Sequence, residues 1–285
     1  TVKNPMERVL FFGPRDANPV FHIAESIWIL AGRRDVEFPA LFNSKIGQYS
    51  DDGLEFNAAY GWRMRSHFGE DQLVGVIEKL KKDPGTRQAV VQLWDPLDLN
   101  KQTLDRACNM QLIFDVSEGA LNMLVINRSN DFWYGYAGAN LVHMTIIQEF
   151  IAGALGLDVG VYRTFSNNLH LYTELYDASR HLVMPPNAEV YDQYRTGVKP
   201  KSLGVTPDTW KTFLRDCEDF CHDPFAHPRY KHEFFHNVAY PMAMVSKVRK
   251  EKSGDGLKWV DMIEADDWRI ATEDWVERRE AAKAK

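Results

Sequence analysis

The chain has 285 residues, 45% of them hydrophobic, enough to bury a large core without disulfides or metal, and its three cysteines are an odd count that suits a reducing, cytoplasmic setting. A net charge of −6 argues against duplex nucleic acid as the main partner, although a few locally placed arginines can hold a small anion. No apolar run is long enough to cross a bilayer, so no membrane role is expected; no charged-then-apolar leader opens the chain, and because it starts at Thr1 without Met and turns apolar almost at once, we expect that an upstream segment was trimmed.

In chain order, Asp16-Ala17-Asn18-Pro19 is a helix-start signal, and Phe21 to Leu30 carries apolar residues at helical spacing until Gly32 stops it. Glu25 has Phe21 at i−4, Trp28 at i+3 and Ile29 at i+4, so its carboxylate falls on the apolar face. A buried carboxyl needs a partner or takes up a proton, and such broken rules gather at functional sites. The alternative is a partly exposed glutamate at the edge of the stripe. Residues 34–56 read as irregular, and Ala59-Tyr60-Gly61-Trp62-Arg63 follows. A helix over about Asp71 to Lys82, with Leu73, Val76, Ile77 and Leu80 inward, runs into the turn Asp83-Pro84-Gly85. Thr86 and Arg87 sit at the mouth of the next strand, Gln88 to Trp94, whose almost wholly apolar character predicts a central position in a sheet.

Two short strings come next. Arg106-Ala107-Cys108-Asn109 offers a soft nucleophile; Arg128-Ser129-Asn130-Asp131 offers a cation, a hydroxyl, an amide and a carboxylate. Strands Met110 to Val116 and Ala120 to Asn127, joined by Ser117-Glu118-Gly119, would fold both strings toward one end of a sheet. That arrangement suits attack on a phosphorylated ring. A long apolar helix over Ala139 to Ala154, a strand over Val159 to Phe165, and Asn167 to Tyr172 opening another helix complete this part. Past Met184-Pro185-Pro186 the segments become more charged, with a start signal at Thr206-Pro207-Asp208 and helices near 229–250 and 264–283. Interspersed helices and strands predict an α+β or α/β layered fold; the economical division is a core over residues 1–187 and a helical C-terminal extension over 188–285, packed on the same domain. Cys217 and Cys221, at i and i+4 with His222 and His227 nearby, make a zinc site conceivable, with core or surface thiols the favoured reading.

The glutamate in Ala24-Glu25-Ser26-Ile27-Trp28, the pair Tyr60-Gly61, Arg87 after Asp83-Pro84-Gly85-Thr86, Cys108, the string Arg128-Ser129-Asn130-Asp131, Gly135, Asn140, and His170 with Tyr172 occur in one order and spacing. Over about residues 20 to 175 the chain thereby resembles the thymidylate synthase and pyrimidine-nucleotide hydroxymethylase family. The family's N-terminal phosphate loop is missing, and the last third does not match its usual closing tail. The resemblance implies an α+β fold, a layered mixed β-sheet with flanking helices, here with the helical C-terminal extension. It also implies a pyrimidine nucleoside monophosphate substrate, 5,10-methylenetetrahydrofolate as co-substrate, no metal, and a homodimer.

By that resemblance Cys108, as thiolate, adds to C6 of the pyrimidine and turns C5 into a carbon nucleophile, with nearby arginines favouring the thiolate. Arg128 and Ser129 resemble the phosphate clamp, and Arg87 the arginine donated across a dimer interface to the neighbouring subunit's phosphate. His170 and Tyr172 would hydrogen-bond the sugar hydroxyl. Asp131, with Gly135 close by, would bind the pterin ring of the folate, whose N–H groups a carboxylate accepts. Glu25 would order water and move protons around the base, and Tyr60 would help remove the C5 proton.

A synthase and a hydroxymethylase share every step to an exocyclic methylene at C5; methylation then needs hydride from the folate, hydroxymethylation a water. Asn109 stands where synthases have histidine, Asn130 where they have cysteine, and Ser44 to Asp52 replaces a tryptophan-rich segment. These departures resemble phage-type hydroxymethylases. Asn140 falls at the base-reading amide, where cytosine-specific enzymes carry aspartate, so uracil is preferred; a rotated amide would serve cytosine. The expected reaction is hydroxymethylation of dUMP, with thymidylate synthesis, dCMP or CMP hydroxymethylation, and a non-catalytic nucleotide-binding relative as alternatives.

Overall fold

In the computed structural model, which describes residues 1–179, 192–226 and 229–283, the Asn18 side chain accepts a hydrogen bond from the Phe21 N–H at 3.0 Å and Pro19 fixes the first turn, so helix α1 spans Pro19–Leu30. Every residue of α1 except Glu25 is buried. Residues 34–56 are less irregular than expected. They hold a short helix α2 (Glu37–Ala40) and a 3-10 turn at Ile46–Tyr49. Asp35 accepts from the Phe38 N–H at 3.1 Å and the Phe38 and Pro39 side chains are buried, a capping-and-burial signal too short to show as periodicity. Helix α3 (Tyr60–Trp62) runs on as a π-helical turn over Arg63–His67, and α4 (Gln72–Lys82) starts at an Asp71 cap.

The main sheet has the order β1 (Val90–Gln92), β2 (Asn109–Ser117), β3 (Ala120–Asn127) and β5 (Asp158–Ser166). Strand β1 is a correction to the sequence reading: it is three residues long and lies at an edge. Its apolar run arises because Ala89, Val91 and Leu93 are buried while Val90 is 39% exposed, a one-faced strand packed on α4. The β2–β3 hairpin closes with Ser117 opposite Ala120 and both turn residues, Glu118 and Gly119, at positive φ, as a two-residue turn of that hand requires. Strand β3 then connects through helix α5 (Ala139–Leu155) to a parallel β5. A second, two-stranded sheet pairs β4 (Asn130–Asp131) with β6 (Leu169–His170), placing Asp131 opposite His170.

Helix α6 (Thr173–Ser179) begins after His170 and Tyr172, which lie on strand and coil and not in its first turn. The later helices are α7 (Trp210–His222), α8 (Tyr240–Glu251), α9 (Leu257–Val260) and α10 (Asp266–Lys283); α7, α8 and α10 all pack on α1. Helix α8 and the π-helical turn before it start later than the sequence suggests, because the Lys231 and His232 N–H groups donate to the Asp216 carboxylate on α7 at 2.9 and 2.7 Å. Met184-Pro185-Pro186, the division at 187/188 and His227 lie outside the described residues. Cys217 and Cys221 are buried on the inward side of α7 with their thiols pushed well up by burial. Among the described residues no group of three His, Cys, Asp or Glu could hold a metal ion. None of the helices is long and apolar enough to cross a membrane, again among the described residues.

One glycine sets the distance between the two helices that carry Glu25 and Tyr60. A Cβ on Gly61 would lie 2.2 Å from the Ile29 carbonyl oxygen, so α1 and α3 touch backbone to backbone. Gly61→Ala must push them apart, and overpacking of this kind costs about 1–3 kcal/mol. Denaturant unfolding should show that loss as a lower midpoint at unchanged slope.

Candidate active site

The β2–β3 hairpin brings the two strings together as expected. Asn109 pairs with Asn127, the Arg128 N–H donates to the Cys108 carbonyl at 3.0 Å, and Arg128 Nη2 stands 3.8 Å from Cys108 Sγ. A β-bulge between Asn109 and Gln111 bends the strand beside the nucleophile. The loop before Cys108 is held from behind. Arg63, fully buried, binds both oxygens of Asp98 at 2.6 and 2.8 Å and donates to the Leu93 and Asn57 carbonyls, while Asp105 accepts from the Ala58 N–H at 2.7 Å.

Cys108, Glu25, Tyr60, Asp131, Gly135 and Asn140 line one cavity of about 650 Å³. Arg87, Arg128, Ser129, His170 and Tyr172 are not among its lining residues. Arg128 lies just behind Cys108 with its guanidinium over the Trp94 ring and its Nε donating to the Ala107 carbonyl. His170 and Tyr172 pack edge to face at 5.2 Å, sharing one face as their alternation suggests, and His170 Nδ1 is 3.0 Å from Asn168 Oδ1. Arg87 is exposed at the foot of β1.

Arg128 favours the Cys108 thiolate as expected, but burial opposes it. Burial pushes the Cys108 thiol up and Asp105 adds to that, outweighing the downward pull of Arg128. Arg128 alone therefore does not make the thiolate, and Sγ stands 3.8 Å from the Arg106 carbonyl oxygen, which can accept its proton. Burial likewise pushes the Tyr60 phenol up, and its hydroxyl oxygen accepts from the Asn109 N–H at 3.4 Å. Burial raises Glu25 to about 8, so it carries its proton at neutral pH; 19% of its side chain is open.

Sequence reasoning misses several residues. His143 lies three residues after Asn140 on α5, a spacing that puts both on one face and is available as a signal. Its Nε2 is 3.2 Å from Glu25 Oε2, and burial holds the imidazole well below its usual pKa. His22, on α1, stacks edge to face with His143 at 6.2 Å and is pushed down to about 3 by burial, with Arg15 adding to it. Arg15, Lys45, Arg106 and Arg279 also line the cavity, Arg279 reaching from α10 to bind Asp16 at 2.6 Å. Nothing in the sequence joins position 279 to position 16.

Four buried side-chain polar atoms in the cavity wall have no hydrogen-bond partner within the protein: Arg15 Nε, Asn130 Oδ1, Asp131 Oδ2 and His143 Nε2. Such atoms are rare in folded proteins and call for a ligand or water. Asp131 uses its other oxygen to cap the π-helical turn Phe132–Tyr136 by accepting from the Tyr134 N–H. Gly135 is a glycine of necessity, since a Cβ there would meet Asn130 Oδ1 at 2.3 Å and Asn140 Nδ2 at 3.1 Å. The cavity wall thus offers a free acceptor at Asp131 Oδ2, a close backbone approach at Gly135, and cations at Arg15, Lys45, Arg106 and Arg279.

The family model "Thymidylate synthase" matches residues 15–193. The chain is 41% identical over 98% of its length to a deoxyuridylate hydroxymethyltransferase of Pseudomonas phage M6, covering 82% of that protein. It is 46% identical over 62% of its length to a deoxyuridylate hydroxymethyltransferase of Bacillus phage SP01, covering 49% of that one. Among solved structures, thymidylate synthase from T4 phage superposes with a TM-score of 0.52 at 23% identity over 69% of this chain and 74% of that one, a likeness of fold.

Proposed function

The chain belongs to the thymidylate synthase family, and we propose on that premise that it transfers a one-carbon unit from 5,10-methylenetetrahydrofolate to C5 of dUMP as a hydroxymethyl group. The observation that carries this reading is the convergence of Cys108, Glu25, Tyr60, Asp131 and Asn140 on one cavity, in a chain alike over nearly its whole length to a deoxyuridylate hydroxymethyltransferase.

In this reading Cys108 Sγ bonds to C6 of uracil and the C5–C6 π electrons move onto C5 and O4. The thiol proton leaves with a neighbouring acceptor, since burial disfavours a standing thiolate. Carbon C5 bonds to the one-carbon unit of the folate, and the C5 proton passes to a water held by the Tyr60 hydroxyl. The bond from the one-carbon unit to the folate nitrogen breaks with its electrons on nitrogen, releasing tetrahydrofolate and leaving an exocyclic methylene at C5. Water then adds to the C5 methylene, and the electrons return to expel Cys108. Asp131 Oδ2 accepts from the pterin, and Arg15, Lys45 and Arg279 face its anionic tail, the last contributed by helix α10.

Arg128 and Ser129 serve the 5′-phosphate, His170 and Tyr172 the sugar. Arg87 serves the phosphate of the other subunit in a homodimer. The sheet face away from the helices supports that assembly, since Val90, Ile113, Leu124, Ile126 and the 62% exposed Phe165 line up there across β1, β2, β3 and β5. The product would serve the synthesis of a modified base for phage DNA in the host cytoplasm.

Asn140 reads the base: its amide donates to O4 and accepts from N3–H of uracil. Incubation with dUMP or dCMP and methylenetetrahydrofolate tests the reading, with dUMP the reacting nucleotide and tetrahydrofolate the released folate. Asn140→Asp should move the ratio of kcat/KM toward dCMP by about 10-fold or more. An unchanged ratio would remove Asn140 from base recognition.

A further inference from the structure

Glu25 and His143 face each other inside the cavity from two different helices. The side chains come from α1 and α5, and Glu25 Oε2 lies 3.2 Å from His143 Nε2. The contact is not an aligned N–H···O bond from the imidazole, and His143 Nε2 has no other partner within the protein. Both residues line the cavity that holds Cys108. With Glu25 protonated and His143 neutral at pH 7, the pair offers one O–H donor and one ring-nitrogen acceptor side by side. A single water can engage both. Asn140 precedes His143 by three residues on one face of α5, and both line the cavity, so a uracil read by Asn140 sits on the helix face that carries His143.

We propose that His143 is the group that, with Glu25, holds the water that adds to the C5 methylene, accepts its proton, and so directs the intermediate to hydroxymethylation. In the step, the water oxygen bonds to the methylene carbon and the C5=CH2 π pair moves toward C4–O4 as an enolate. The water's proton passes to His143 Nε2. The enolate then re-forms C5=C6, the C6–Sγ bond breaks with its electrons on Cys108, and His143 returns the proton to solvent or to the thiolate. No oxidant or reductant is consumed, and the folate leaves as tetrahydrofolate. The inference rests on the proposed dUMP hydroxymethylation.

The test uses the full-length protein in excess over dUMP labelled with tritium at C5, with methylenetetrahydrofolate, comparing wild type with His143→Gln. Tritium release reports every step up to the methylene; nucleotide mass reports the fate of that methylene. The variant is expected to release tritium within about 10-fold of the wild-type rate while hydroxymethyl product forms about 100-fold more slowly or worse, the range of a lost acid–base group. Added 2-mercaptoethanol, a nucleophile that needs no help from His143, should then collect as the C5 thioether. Equal loss of tritium release and product, or hydroxymethyl formation at the wild-type rate, would overturn the proposal. If His143→Gln fails to bind dUMP, His143→Asn is read the same way, and failure of both to bind would make His143 structural and overturn it as well. A wild type that makes dTMP and dihydrofolate would instead remove the hydroxymethylase reading, an outcome visible before any variant is made.

Discussion

Cys108→Ala should abolish turnover, by on the order of 10⁵-fold or more, because removal of the group that forms the covalent bond leaves only binding and positioning. The fold should survive. Cys108 is a half-buried residue just before β2 whose side chain makes two polar contacts, both at 3.8 Å, to the Arg106 carbonyl and from Arg128, so alanine leaves no costly unpaired group. A direct check is mass spectrometry of the protein incubated with 5-fluoro-dUMP and methylenetetrahydrofolate. The fluorine blocks loss of a proton from C5 and should trap a covalent complex on the wild type and none on the variant. A complex of equal yield on Cys108→Ala would move the nucleophile elsewhere.

The second large effect divides activity from stability. Glu25→Gln keeps size and hydrogen bonding but cannot exchange a proton, and it should lower product formation by about 10²–10⁴-fold. The same change should stabilise the protein above pH 5. Burial lifts the folded-state pKa of Glu25 from 4.5 to about 8, so between those values the unfolded chain gives up a proton that the folded one keeps. Stability therefore falls as pH rises through this window, and it levels off above pH 8. Glutamine has no such slope. The unfolding free energies of the two proteins, followed by their melting temperatures, should converge near pH 4 and separate progressively to pH 8, by on the order of a few kcal/mol at the upper end. Parallel melting curves across that range would mean that Glu25 is ionised in the folded protein. Such a carboxyl in the middle of the most buried helix is understandable as a residue kept for chemistry at the expense of the fold.

Glu25 also shows how much of this site is legible in the sequence. Helical spacing places it on the apolar face of α1, and it is the one residue of that helix not fully buried. The hairpin that joins Cys108 to Arg128 is legible for a local reason, since the turn at Glu118-Gly119 sets the register of both strands. Strand β1 is misjudged from sequence because an apolar run does not say which of its faces is covered. The sequence displays the arginine that favours the thiolate, but not the desolvation that opposes it. Arg279 and Asp16 meet only through the packing of α10 on α1, and no local pattern encodes a contact across that separation. His143 is within reach, one turn beyond Asn140. It escapes notice because a histidine in a long apolar helix looks like core until Glu25 is placed opposite it.

The central claim is that water, and not hydride, completes the reaction. It is tested most directly by running dUMP and methylenetetrahydrofolate with the wild-type protein in water labelled with heavy oxygen and weighing the nucleotide. The expected product is heavier by CH2O and carries the heavy oxygen in its hydroxymethyl group, with tetrahydrofolate released. A product heavier by CH2 alone, without label and with dihydrofolate formed, would contradict the account and make the enzyme a methylating synthase.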